Sequence, residues 1–328
     1  MKTKYSFLIL VFVLFISANN FCMLYLFVPG PLGKIETLII KPKLSIKQIS
    51  DKLVMHNIIY SASLFELIAK LYSLHSTIKS GEYRFTSQIS PLQVLNILSS
   101  GKSIIHKFVI PEGSTTYEIV EKINGEKLLL GKIKTEIPEG FLMPSTYFFS
   151  YGDSKEQIID QMRKLMSSNL DKVMVKLPID SPLKTRLEVL TLASIIEKES
   201  SADEERPIIA SIFLNRLKKG MKLQADPTTI YALTKGKFKL NRPLTKKDLL
   251  IQSPYNTYYV SKLPLGPITC PSTKSLNAVV NPIRTDALYF VADGKRGHNF
   301  ANNIDDHNKN VQIYKQIKKS MKLTNLPQ

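Results

Sequence analysis

Cysteine is nearly absent from this chain. Of 328 residues only Cys22 and Cys270 carry a thiol, too few and too poorly placed for a disulfide framework or a cysteine-rich metal site. The fold must stand on packing. Acidic residues are also scarce beside basic ones, 27 against 45, for a formal net charge of +18. That excess calls for a polyanionic neighbour, but sign alone does not choose between nucleic acid, an anionic membrane face and an acidic polymer such as a bacterial wall. No glycine-rich loop follows a strand, which excludes a phosphate-cradling nucleotide site. His298 and His307 have no acid or cysteine at ligand spacing, so neither a metal nor another cofactor is expected. Apolar residues are plentiful at 44%. Disorder of the whole chain is therefore excluded, and the length favours two domains or one large domain with appendages.

Charge is missing altogether from Tyr5 to Val28, where Phe, Leu, Ile, Val and Met dominate. A helix of about 20 such residues crosses the hydrocarbon of a bilayer. Lys2 and Lys4 precede the run and Pro29-Gly30-Pro31 ends it. The expectation is a single transmembrane helix over 5–28, with residues 1–4 cytoplasmic and everything from Lys34 onward outside the cytoplasm. A cleaved signal peptide, with Phe7–Ile16 as its apolar region and Ser17-Ala18 as cleavage site, is the alternative. Either way the basic bulk works beyond the membrane, so nucleic acid is not the expected partner.

The next hundred residues read as a small α+β module over 35–125. Ile35–Ile40 predicts a strand, Ser45 an N-cap before a helix with Ile46, Ile49 and Leu53 on one side, and Ser61–Leu71 a second helix. Gly81–Phe85 and Ile104–Ile110 predict strands, and the helix between them opens at Ser90-Pro91 and closes at Gly101. Ser45, Ile49, Lys52 and Leu53 share their offsets with Thr115, Ile119, Lys122 and Ile123. That echo is either a repeat or the ordinary look of amphipathic helices after strands. A larger mixed α+β domain is expected over 126–328. Its helices read as Lys155–Leu170, Ser181–Glu199 and Pro207–Lys219, followed by an irregular stretch from Gly220 to Pro282, a buried strand at Leu288–Ala292 and a basic tail helix over Asn308–Lys322.

Ser181–Glu199 is the informative helix. Leu183, Leu187, Leu190, Ser194 and Glu197 recur on nearly one side, so Glu197 continues an apolar stripe. A carboxyl held there loses solvation and its pKa rises, as a general acid requires. Periodicity does not single it out, because Glu199 likewise follows Leu192, Ile195 and Ile196, and a helix apolar nearly all round can simply end in a charged turn.

A resemblance adds to this reading. Leu192-Ala193-Ser194-Ile195-Ile196-Glu197-Lys198-Glu199, Phe213-Leu214-Asn215-Arg216-Leu217 and Leu223-Gln224-Ala225-Asp226-Pro227-Thr228-Thr229-Ile230-Tyr231 come first. Ser253–Tyr258, Leu263–Ile268, Tyr289–Gly294, His298-Asn299-Phe300 and His307-Asn308 follow in order, and Gly140–Tyr147 precedes them. Together they resemble the endolytic murein transglycosylases of the MltG, or YceG-like, family. The resemblance implies one amino-terminal membrane helix, a LysM-like subdomain and a catalytic domain in the periplasm, on the cytoplasmic (inner) membrane.

It further implies Glu197 as the single catalytic carboxyl, and a glycan cleft around Gln224, Asp226, Asn256, Thr257 and Tyr258, with Tyr255 or Tyr258 stacking on a pyranose. The implied reaction cuts the bond between N-acetylmuramic acid and N-acetylglucosamine inside a strand and leaves a 1,6-anhydromuramoyl end. The implied partners are peptidoglycan strands, the cytoplasmic membrane and wall synthases. Two alternatives stay open: a hydrolytic muramidase with Asp226 as second carboxylate, and a non-catalytic wall-binding scaffold. Leu265 and Cys270 depart from the family's usual pattern, which has small residues or a Pro-Gly-rich segment there.

Overall fold

A computed structural model describes residues 2–73, 78–200, 202–295 and 297–324. It is a mixed α+β architecture that divides into two compact units. The first comprises residues 1–107, 127–131 and 148–154, and the second comprises 108–126, 132–147 and 155–328.

In the first unit α1 (Lys2–Phe27) is followed by β1 (Glu36–Ile40), α2 (Ile46–Met55), α3 (Ala62–Ser73), β2 (Gly81–Phe85) and α4 (Pro91–Ser100). β1 pairs antiparallel with β2, Glu36 opposite Phe85 and Ile40 opposite Gly81. The alternation of strands turns Leu38 and Ile40 inward beside Tyr83 and Phe85, where they meet Ile49, Leu53, Phe65, Val94 and Leu98. Capping boxes start α2, through Ser45 and Gln48, and α4, through Ser90 and Gln93, and Gly101 closes α4 in a left-handed turn. Among the described side chains of α1, Tyr25 and Leu26 at its end join this core, and the Tyr25 hydroxyl donates to the Ser61 carbonyl (3.0 Å). Leu8, Ile9, Leu10 and Phe12 of α1 are exposed. Among the described residues no helix is long and apolar enough to cross a membrane. The side chains of Lys2, Lys4 and Ala18, on which the orientation and cleavage readings rest, lie outside those residues.

The chain passes between units within β3 (Ile105–Val109) and β4 (Thr146–Ser150), which pair. The second unit contains α5 (Thr116–Gly125), α6 (Lys155–Met174), α7 (Arg186–Glu199), α8 (Arg206–Lys218), α9 (Asp226–Thr234), the short α10 (Lys246–Leu249), α11 (Thr273–Val280), the hairpin β5 (Tyr289–Ala292) with β6 (His298–Ala301), and α12 (Ile304–Thr324). The helix α5, expected in the small module, thus belongs to the second unit.

The echo is structural. Thr115 and Glu118 form a capping box like that of Ser45 and Gln48, and Ile119 and Ile123 are buried as Ile49 and Leu53 are. Lys52 Nζ donates back to the Ile39 carbonyl (2.6 Å) and Lys122 Nζ to the Val109 carbonyl (2.5 Å), each thirteen residues upstream. The same strand-and-helix device has been used twice.

α7 is the axle of the second unit. Every residue from Val189 to Ile196 is buried, among Met166 and Leu170 of α6, Ile209 and Phe213 of α8, and Leu276 and Val279 of α11. It starts at Arg186, later than expected, because the Thr185–Glu188 capping box closes its first turn there. The expected buried strand at Leu288–Ala292 is only half-buried, since its sheet has just two strands. Gly140 has φ +86, and a Cβ there would lie 2.6 Å from Pro267 Cβ. At Gly220, φ +66, a Cβ would meet nothing within 4 Å. Replacing Gly140 by alanine should cost roughly 1–3 kcal/mol more in denaturant unfolding than replacing Gly220. Equal losses at the two sites would show that the close approach to Pro267 carries no energy.

Candidate active site

The last turn of α7 presents two carboxyls, at Glu197 and Glu199. Two residues along a helix is about 200° of rotation, so they leave on opposite sides.

Glu197 points into protein. Its side chain is 3% exposed, and Oε2 accepts from the Ser272 backbone N–H (2.7 Å) and hydroxyl (2.6 Å). Oε1 accepts from Arg206 Nη2 (3.3 Å). Ser272 is the N-cap of α11, its Oγ also accepting from Ser275 N–H and Arg206 Nη1. Arg206, 5% exposed at the start of α8, further meets Asp203 (3.6 Å) and Glu112 (3.9 Å). A carboxylate held by a guanidinium and a helix N-cap is a fastener between α7, α8 and α11, with both oxygens committed.

Glu199 lines a cavity of about 340 Å³ with Arg216, Leu223, Gln224, Asp226, Tyr258, Tyr289, Phe290, Ile304 and His307. Among the described residues no side chain or backbone group hydrogen-bonds its carboxyl. Burial foremost, then the like charge of Asp226, pushes its pKa up to about 8 against the opposing pull of Arg216. No bond joins Arg216 to it; Arg216 Nε donates to the Leu288 carbonyl (2.6 Å) and Nη1 to those of Leu223 (2.8 Å) and Lys222 (3.3 Å). Its guanidinium also lies over the Tyr289 ring, 5.1 Å from the centroid. Asp226 opens α9 and accepts from the Tyr258 hydroxyl (2.6 Å). Burial, and secondly that bond, holds the Tyr258 phenol well above the usual range.

Larger cavities of about 580 and 690 Å³ exist in this unit. In the first, Glu188 is spent on the α7 cap, and in the second Asp180 pairs with Lys218 at 2.9 Å. Size does not choose the site. A protonated carboxyl free of protein partners does.

Of the residues expected at the cleft, Gln224, Asp226 and Tyr258 line the cavity. Gln224 is held at φ +50, a backbone state that costs energy for a residue with a Cβ, by its N–H bond to the Thr257 carbonyl (3.2 Å). Asn256 and Thr257 do not line it and are fully buried. Asn256 donates to the carbonyls of Leu249 and Ile251 and accepts from Thr229 Oγ1 and Tyr258 N–H, so all its capacity is used. Thr257 Oγ1 accepts from Ala225 N–H and shares a bond with Thr228 Oγ1. These two brace the loop that carries Tyr258.

Tyr255 packs on Tyr231 (4.9 Å) under Lys235, away from the cavity. His298 is bound to Glu205 at 2.6 Å. Among the described residues no group of three or more His, Cys, Asp or Glu is placed to hold a metal. Arg216, Tyr289 and His307 stand in the motifs quoted above, yet nothing in their spacing announces a shared cavity.

The model of the YceG-like family matches residues 38–313. The chain belongs to the YceG-like family. It is 31% identical over 302 residues to a Bacillus subtilis protein named endolytic murein transglycosylase, covering 82% of each chain. It is 29% identical over 317 residues to a Streptococcus pneumoniae protein of the same name, covering 81% of this chain and 56% of that one, so it spans little more than half the pneumococcal protein. Its fold is similar to the crystal structure of a putative yceG-like protein of Listeria monocytogenes, at 33% identity and a TM-score of 0.53, covering 84% of this chain and 99% of the other.

Two stability tests separate the carboxyls. Glu197→Ala leaves Arg206 buried without its main partner and should cost about 3–5 kcal/mol in denaturant unfolding. For Glu199 the native state keeps a proton that the unfolded chain has lost, so stability falls as pH rises from the ordinary carboxyl range to about 8. Glu199→Gln should remove that fall, and melting curves from pH 5 to pH 9 measure it. An unchanged slope would mean that Glu199 is not held protonated.

Proposed function

We propose that this chain is a murein lytic transglycosylase in which Glu199, not Glu197, is the acid and base. The observation that carries the reading is the Glu199 carboxyl, raised to about 8 and free of protein hydrogen bonds among the described residues, in a cavity with Gln224, Asp226 and Tyr258. Protonated at neutrality, it donates to the oxygen bridging N-acetylmuramic acid and N-acetylglucosamine. As carboxylate it then takes the proton of the muramoyl 6-hydroxyl, whose oxygen closes on the anomeric carbon. One carboxyl serves twice because the nucleophile is in the substrate, where ordinary glycosidases use a pair. Asp226 keeps the proton on Glu199, and its own negative charge favours the cationic anomeric centre. The names of the Bacillus and Streptococcus relatives support the substrate, and with it a cut inside the strand.

The apolar run from Tyr5 to Val28 and its exposed side chains support an anchor in the cytoplasmic membrane, amino terminus inside and both units outside. The strand–helix–helix–strand order of β1, α2, α3 and β2 supports a LysM-like, wall-binding role for the first unit. Wall synthases are the partners such a placement would bring within reach. Asp226 beside Glu199 also favours a second reading, hydrolysis by a carboxylate pair.

Mass spectrometry of products from purified uncrosslinked strands decides between them: anhydromuramoyl ends support the lyase, and reducing ends the muramidase. The lyase reading also predicts that turnover falls as pH rises through about 8. Asp226→Asn removes the like charge and lowers the Glu199 pKa, so the falling limb should move to lower pH. A limb that stays in place would count against Asp226 as the group that tunes Glu199.

A further inference from the structure

Among the described residues three buried side-chain polar atoms have no hydrogen-bond partner: Arg206 Nε, Ser275 Oγ and His307 Nδ1. The first two sit around the Glu197 fastener, whereas His307 lines the Glu199 cavity. His307 lies in the first turn of α12, its ring stacked on Tyr289 at 5.2 Å and 27°, and Tyr289 carries the Arg216 guanidinium over its own ring. A proton on Nδ1 would be a buried donor with nothing to receive it, so the neutral ring keeps its proton on Nε2. A second proton is disfavoured by burial and then by the Arg216 charge, which together hold His307 below the ordinary histidine range. The ring edge left for a ligand is therefore a neutral N–H donor.

Its surroundings specify what that donor meets. Leu223, Phe290 and Ile304 line the same cavity and make an apolar patch beside the polar groups. An uncharged donor next to an apolar patch suits a small group with a carbonyl oxygen at one end and a methyl at the other. Hydroxyls satisfy only half of that description, and an acetamido group satisfies both. We propose that His307 reads the N-acetyl group of an amino sugar, donating Nε2–H to its carbonyl oxygen while the methyl rests among Leu223, Phe290 and Ile304. This rests on the murein reading above and adds to it a residue that selects N-acetylated over de-N-acetylated strands.

Binding is measured on the full chain carrying Glu199→Gln, so that strands are not cut. The probes are purified murein glycan strands, the same strands chemically de-N-acetylated, and the latter re-acetylated. His307→Phe keeps a ring on Tyr289 and removes the donor. It should weaken binding of acetylated and re-acetylated strands roughly three- to tenfold and leave de-N-acetylated binding unchanged, with an unaltered melting temperature. His307→Gln, which retains an N–H donor, should recover part of the loss. Equal loss on all three probes, or no loss on any, overturns the assignment. If the protein with His307 intact binds none of the strands, the murein reading itself falls and this inference falls with it.

Discussion

Everything at the site depends on one buried contact, the carboxylate of Glu197 held between Arg206 and the N-cap serine of α11. It joins the end of α7 to the starts of α8 and α11, three helices whose remaining contacts are apolar and therefore indifferent to direction. An ion pair this deep gains little stability over an apolar substitute, but it fixes rotation about the helix axis. With Glu197 pinned on one side, Glu199 emerges on the other and lines the cavity it shares with Arg216 and Asp226. The same helix end thus carries one carboxylate bonded inside the protein and one carboxyl facing a cavity, separated by the geometry of a helix turn.

The cavity in turn works because charge is confined rather than cancelled. Arg216 stands close enough to be felt, yet its Nε and Nη1 donate to backbone carbonyls, and Asp226 adds a like charge held by the Tyr258 hydroxyl. Burial and repulsion therefore dominate, and the carboxyl keeps its proton. A direct Arg216–Glu199 pair would have produced the opposite state, a carboxylate unable to protonate a leaving group. The +18 excess of the chain lies mostly on lysines at the surface and does not intrude on this balance.

Much of the fold was legible because its signals are local. Ser45, Ser90 and Thr115 announce helix starts through side chains three residues away, and the spacing of Ile49 and Leu53 beside Ile119 and Ile123 exposes a repeated device. What was not legible depends on partners distant in the chain. Glu197 and Glu199 both follow apolar residues, and what distinguishes them is Arg206 with Ser272, the latter seventy-five positions from Glu197. Asn256 and Thr257 have the right chemistry for sugars, but Thr228, Thr229 and the carbonyls around them use that chemistry up. The spacing of His307 announces neither a metal nor any other ligand, and its place depends on Tyr289 and Arg216, distant in the chain.

The two glutamates of one helix turn are proposed here to divide structure from chemistry. That division is tested most directly by the yield of anhydromuramoyl ends from uncrosslinked strands, measured by mass spectrometry for Glu199→Gln and Glu197→Gln side by side, with melting curves for both. Glu199→Gln should melt at or above the unaltered protein's temperature and form no such ends, whereas Glu197→Gln should melt lower and retain measurable turnover wherever it is folded. Full activity in Glu199→Gln, or a folded Glu197→Gln protein with none, would contradict it.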